Sequence, residues 1–134
     1  MNKWDNYFSQ ISKLTASMSK CERLKVGAVL VLGNRIIATG YNGLPSGYEP
    51  DVCECEGLTK SEVIHAEMNV ILDCAKRGIS CSGATLYITH SPCNSCASSI
   101  IQAGISEVKY LEDYRTCSKE IFEKCNVILT KLIW

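Results

Sequence analysis

Apolar residues recur at helical spacing near the start of the chain: Trp4, Tyr7, Phe8, Ile11, Leu14 and Met18, with Lys3, Asp5, Gln10, Lys13 and Lys20 between them. The pattern predicts an amphipathic helix over residues 3–20 whose aromatic stripe packs into a core. The period then changes. Residues 26–32 form a continuous apolar run and residues 35–39 a second, with Gly33-Asn34 between them as a two-residue hairpin signal. Gly27 inside the first run predicts close approach of a backbone or a ligand. Residues 40–61, rich in Gly, Pro, Ser and acidic side chains, read as one long loop, a kind that compact domains keep for function or leave disordered.

Farther along, helical spacing returns over about 65–76 and stops at Arg77-Gly78, where a helix end favours basic residues and glycine. A strand is expected at 84–89, a helix at 93–103, a short strand at 107–110, a helix near 116–124 and a strand at 126–131. The order is α-β-β-α-β-α-β-α-β. A hairpin followed by βαβ-type crossovers predicts an α/β fold in three layers, α-β-α, around a mixed five-stranded sheet.

Composition narrows the function. The 134 residues suit one domain spanning 1–134. Fourteen basic residues balance 14 acidic ones, so no global field favours a nucleic-acid polymer or a membrane surface, although a small nucleotide stays open. No apolar run approaches transmembrane length, and the N-terminus lacks the apolar core of a signal peptide. Nine cysteines without a secretion signal point to a reducing cytoplasm, with most thiols packed as small hydrophobes.

The chemistry is concentrated in His65-Ala66-Glu67 and Pro92-Cys93-Asn94-Ser95-Cys96. Zinc takes nitrogen and sulfur ligands, and a catalytic site keeps its fourth position for water. His65, Cys93 and Cys96 make such a three-ligand set, leaving Glu67 as the proton carrier. Cys93 and Cys96 share one helix face, while His65 and Glu67 could reach one ion together only from a helix tip. Unsatisfied N–H groups at such tips favour thiolate and carboxylate. A lone C-x-x-C could instead be a redox pair or half a structural zinc knuckle. No second C-x-x-C or H-x3-H completes a four-ligand site, however.

With these residues in place the chain resembles the cytidine deaminase superfamily and, within it, the deoxycytidylate (dCMP) deaminases. The resemblance spans nearly the whole sequence. It rests on residues 26–29, the Gly-Tyr-Asn-Gly-x-Pro-x-Gly loop at 40–47, His65-Ala66-Glu67-Met68-Asn69, residues 90–97 and Gln102-Ala103-Gly104-Ile105. Nucleoside deaminases generally carry Cys in place of His65, and transfer-RNA adenosine deaminases lack the loop. The resemblance implies one catalytic Zn2+ per chain and hydrolysis of dCMP to dUMP and ammonia, feeding thymidylate synthesis. It also implies a homo-hexamer activated by dCTP and inhibited by dTTP. A triphosphate effector could bring Mg2+ with it. Some members hold a second, structural zinc; here only Cys53 and Cys55 were available for one, and C-x-C cannot complete a tetrahedral site.

In that scheme Glu67 moves protons between water, N3 of cytosine and the departing ammonia, and Ala66 keeps the intervening side chain small. Asn42 matches the family residue that holds the sugar, against a plain turn role with positive φ. Arg23, Tyr114 and Arg115 match positions of phosphate and sugar contacts, and His90 lines the same pocket or serves structure. Gly43, Ser46, Gly47 and Lys76 are the candidates for the effector site, against simple interface packing. Two other functions remain open: a deaminase of another cytosine or adenine nucleotide, or a catalytically silent zinc- and nucleotide-binding module.

Overall fold

The computed structural model describes residues 1–114 and 118–133. The chain runs α1 (Lys3–Ala16), β1 (Gly27–Leu32), β2 (Arg35–Tyr41), β3 (Glu54–Cys55), β4 (Leu58–Thr59), α2 (Ala66–Arg77), β5 (Thr85–His90), α3 (Asn94–Gln102), β6 (Glu107–Glu112), α4 (Lys119–Lys124) and β7 (Ile128–Lys131). Five strands form one sheet in the order β2-β1-β5-β6-β7. β1 is antiparallel to both neighbours, whereas β5, β6 and β7 run parallel. The expected mixed sheet is therefore present. Gly33 and Asn34 both take positive φ, 57° and 59°, as a tight primed turn requires.

Side chains alternate across the strands, so each strand serves two cores. Ala28, Leu30, Leu86, Ile88, Val108 and Tyr110 face α2, α3 and α4. Val29, Val31, Tyr87 and Leu111 face α1, where Phe8 is the large apolar anchor. This gives the three layers.

α1 departs from expectation in length and in its buried face. It ends at Ala16, and its inward residues are Asp5, Phe8, Ser9, Ser12 and Ala16. Trp4, Tyr7, Leu14 and Met18 remain 39, 49, 68 and 62% exposed, so most of the aromatic stripe is not core. Gly27 supplies the reason. A Cβ there would overlap the carbonyl of Ser12 and the amide of Ala16, so helix backbone lies directly on β1 and only small residues fit between. Of the two options at Gly27, backbone is the one realised. Asp5 then fastens the helix: Tyr87 Oη donates to its Oδ1 at 2.6 Å and Lys109 Nζ at 2.8 Å. Burial raises the Asp5 pKa, but these bonds outweigh it and hold the carboxyl below its ordinary range.

α2 rests on the sheet in the same way. A Cβ at Gly40 would lie 2.8 Å from the Ala66 carbonyl oxygen and 2.9 Å from the Val70 amide nitrogen. The loop after β2 also contains more order than its composition suggests. β3 and β4 pair as a small hairpin turning at Glu56-Gly57, both with positive φ, and Gly43 pairs with Ile64, immediately before His65.

Candidate active site

Topology brings the candidate residues to one end of the sheet. β2 and β5 both run antiparallel to β1, so their C-terminal ends lie on the same side as the start of β1. Asn42 follows β2, Val26 precedes β1, His90 closes β5 and Tyr114 lies just past β6. Open α/β sheets place ligand sites in this region.

His65 is the N-cap of α2 and Cys93 the N-cap of α3, both with extended backbone and neither with its side chain capping its own helix. The two helix tips face each other, as their spacing predicted. His65 Nδ1 lies 3.3 Å from Cys96 Sγ and 3.7 Å from Cys93 Sγ. The three donor atoms all fall within 4.8 Å of one another. A tetrahedral centre with metal–sulfur bonds of about 2.3 Å and metal–nitrogen bonds near 2.0 Å separates sulfur from nitrogen by about 3.5 Å. The donors are spaced for zinc. Neither this group nor Cys21, Cys53 and Glu54, the other such cluster among the described residues, is the all-oxygen set that Mg2+ takes.

Electrostatics point the same way. Burial, then the negative charges of Glu67 and Cys93, push the Cys96 thiol far above its usual value. Cys93 is also raised by burial, but hydrogen bonds from Ser95 and Cys96 bring it below its usual value. Two thiols and a carboxyl crowded together in this way favour a cation, which would hold both sulfurs as thiolates. Glu67 is 4% exposed. Burial pushes its carboxyl up to about 7, and the hydrogen bond to its own backbone lowers it only in part. No other side chain among the described residues hydrogen-bonds that carboxyl.

A cavity of 640 Å³ opens beside these groups, lined by His65, Ala66, Glu67, Cys93, Arg23, Asn42, His90 and Tyr114 among others. Asn42 is not a positive-φ residue, so the turn role is excluded. Its Nδ2 donates to the Leu24 carbonyl at 2.8 Å and its Oδ1 accepts from the Val26 amide at 2.9 Å. One N–H and one lone pair of the amide are left for a ligand. His90 is partly buried, which lowers its pKa, while Glu112 raises it; Nδ1 lies 2.8 Å from Thr89 Oγ1. Arg115 lies outside the described residues.

The effector candidates are not in this cavity. Gly43 donates its N–H to the Ile64 carbonyl at 3.1 Å, so that amide is already spent on the sheet-like bridge. Ser46 and Gly47 are exposed. Lys76 is exposed at the far end of α2, 11 residues from His65, or roughly 16 Å along the helix.

Several cavity residues escaped the sequence reading. The β3–β4 hairpin and the segment after it contribute Glu54, Leu58 and Lys60, and Ser91 lies on the turn before Cys93. Glu54 accepts the backbone N–H groups of Glu22 and Arg23 at 3.1 and 3.3 Å, fixing the segment that carries Arg23. Beside it Cys21 and Cys53 form a disulfide, 32 positions apart. The thiols were expected to stay reduced, but these two residues are joined. Cys74 and Cys81 are buried as anticipated, whereas Cys55 and Cys125 are exposed. The partner of Cys53 is Cys21, not Cys55. The acidic, Cys-rich composition of 49–56 was the available signal, but it specified no partner.

The family profile for the cytidine and deoxycytidylate deaminase zinc-binding region matches residues 2–112. The chain belongs to that family. Among family proteins, it is 45% identical to ComE operon protein 2 of Bacillus subtilis, over 96% of this chain and 71% of the other. It is 40% identical to the deoxycytidylate deaminase of Mycobacterium phage D29, over 80% and 93%. The crystal structure of dCMP deaminase from the cyanophage S-TIM5, in complex with dCMP and dUMP, superposes with a TM-score of 0.94 at 36% identity, covering 98% of this chain and 99% of that one. The matched region includes His65, Glu67, Cys93 and Cys96, and His65, Cys93 and Cys96 are a group that could hold a metal ion.

Proposed function

We propose that the chain, as one deaminase domain over 1–134, hydrolyses dCMP to dUMP and ammonia. The observation that carries this is Glu67: a buried carboxyl that belongs to no ion pair among the described residues, opening on the same cavity as the His65, Cys93 and Cys96 donors. A structural metal site has no use for such a group. The likeness to the phage enzyme crystallised with dCMP and dUMP supports the choice of nucleotide.

Held by the three donors, zinc would supply Lewis-acid activation of the attacking water. Glu67 takes a proton from that water and delivers it to N3 of the ring as C4 is attacked. It then takes the proton of the new C4 hydroxyl and hands it to the amine, which leaves as ammonia as the C4 carbonyl forms. Ala66, fully buried, leaves room for the ring against α2. The free N–H of Asn42 serves the sugar. Arg23, Tyr114 and Arg115 serve the phosphate end, where a guanidinium can bind two oxygens at once, and His90 closes that wall.

Regulation is part of the same reading. Gly43, Ser46, Gly47 and Lys76 do not line the cavity, as an effector surface for dCTP and dTTP should not. The apolar side chains that α1 leaves exposed suit burial between subunits of a hexamer. No helix among the described residues is long and apolar enough to cross a membrane. A cytoplasmic enzyme supplying dUMP for thymidylate synthesis fits these features.

The test is ammonia release by the zinc-loaded protein from dCMP, deoxycytidine, dCTP and adenine nucleotides, with and without dCTP and dTTP. Turnover of dCMP at least tenfold above the others is expected, with sigmoidal dependence that dCTP makes hyperbolic. Inertness toward dCMP overturns the substrate. Hyperbolic kinetics indifferent to both triphosphates overturn the regulation alone.

A further inference from the structure

We propose that Ser91 is a positioning residue: its hydroxyl ties the turn that presents the metal donors to the loop that holds Tyr114 against the substrate. The inference rests on the reading of Tyr114 as a substrate contact.

β5 ends at His90, and only Ser91 and Pro92 separate it from Cys93. Ser91 is 5% exposed. Its Oγ accepts the Tyr114 N–H at 2.9 Å and donates to the Tyr114 carbonyl at 3.3 Å. Its own N–H donates to the Glu112 carbonyl at 2.9 Å. One residue on, the Pro92 carbonyl accepts from Ser118 Oγ at 2.9 Å, and Ser118 is 2% exposed. The chain leaving β6 is thus fastened at both ends to a two-residue turn.

The fastening answers a need created by the sheet. β6 makes its last ladder pairs through Tyr110 to Lys131 and through Glu112 to His90. Tyr114 lies beyond the last of these pairs, outside the ladder among the described residues. A serine hydroxyl can donate once and accept twice, so one side chain serves both the N–H and the C=O. Its single donor is used, and it has no proton left to offer a ligand. Tyr114 meanwhile lines the cavity and meets His90 edge-on, ring centroids 6.0 Å apart at 80°. Ser91 therefore acts through Tyr114 and links substrate placement to the turn that ends in Cys93.

The experiment compares wild type, Ser91→Ala, Tyr114→Ala and the double variant as zinc-loaded enzymes. It uses steady-state kinetics on dCMP and hydrogen exchange at the Tyr114 amide. Ser91→Ala is expected to keep stoichiometric zinc and to raise KM about tenfold, the equivalent of about 1.4 kcal/mol, with kcat within about threefold. The double variant should be no worse than Tyr114→Ala, because coupled residues do not add. Exchange at the Tyr114 amide should accelerate at least tenfold in Ser91→Ala. Ser91→Thr, which keeps the hydroxyl, should preserve both KM and protection, and it stands in should the alanine variant not fold. Additive losses, unchanged amide protection, loss of zinc in Ser91→Ala, or a Tyr114→Ala variant with wild-type KM would each overturn the inference. The exchange measurement needs no substrate. If the wild type turns over another nucleotide, the function fails while the tie from Ser91 to Tyr114 is still decided, and the kinetic comparison moves to that nucleotide.

Discussion

His65 Nδ1 lies 3.3 Å from Cys96 Sγ across 31 positions of sequence. α2, β5 and their connections run between the two; they meet because α2 and α3 both begin at the same end of the sheet. The contact joins two members of a group that could hold a metal ion, whose third donor, Cys93, is the N-cap residue of α3.

Cys96→Ala is expected to abolish stoichiometric zinc, because two donors remain where a tetrahedral centre with an open position needs three. Elemental analysis after dialysis reads this directly. A variant retaining one zinc per chain would mean that the ion sits elsewhere.

Glu67→Gln should keep the metal and lose the reaction. The amide matches the carboxyl in shape but cannot shuttle protons, and losing a general acid–base group costs about 10²–10⁴-fold in rate. Ammonia release should fall by at least a hundredfold at unchanged zinc content. Activity within tenfold of wild type would remove Glu67 from the mechanism.

Both halves of that site were legible in sequence because ligand spacing and helix starts are local. The α1 face was not. Trp4, Tyr7, Leu14 and Met18 carry the strongest apolar period, yet the helix turns Ser9, Ser12 and Ala16 inward, because Gly27 brings its backbone onto β1. Gly27 signalled a close approach from sequence, but nothing in its segment named α1 as the neighbour, because the contact joins residues far apart. The β3–β4 hairpin escaped for a different reason: two-residue strands are too short to show a period, and only Glu56-Gly57 marks the turn. The Cys21–Cys53 bond needed the fold to name its partners.

Gly27→Ala tests the α1 contact. Its added methyl would overlap Ser12 and Ala16 backbone, which cannot rotate away. Overpacking of this sort costs about 1–3 kcal/mol. Denaturant unfolding should show a lower midpoint at unchanged slope. A midpoint equal to wild type would mean that α1 lifts freely from the sheet.

Asp5 predicts how stability follows pH. Burial raises its pKa, but the hydrogen bonds from Lys109 and Tyr87 bring it below the ordinary 3.8. A carboxyl with a lower pKa folded than unfolded stabilises the fold above the unfolded value, and that contribution is lost as pH falls through the folded one. Asp5→Asn should therefore cost about 1.5–3 kcal/mol near neutrality, the worth of hydrogen bonds to a charged group. The gap to wild type should close as pH drops below about 4. A gap that stays constant from pH 7 to pH 2 would assign the loss to packing alone.

The close seat of α2 on Gly40 also has a consequence for stiffness. A side chain pressed from above can yield by changing rotamer, but the Ala66 carbonyl and the Val70 amide are fixed to the helix axis. Position 40 therefore works as a hard stop, setting the height of α2 above the sheet without a compliant layer between. Ala66 lies between His65 and Glu67, so the stop bears almost directly under the turn that carries both. The tip of α2, with His65 as its N-cap residue and Glu67 in its first turn, inherits the rigidity of the sheet.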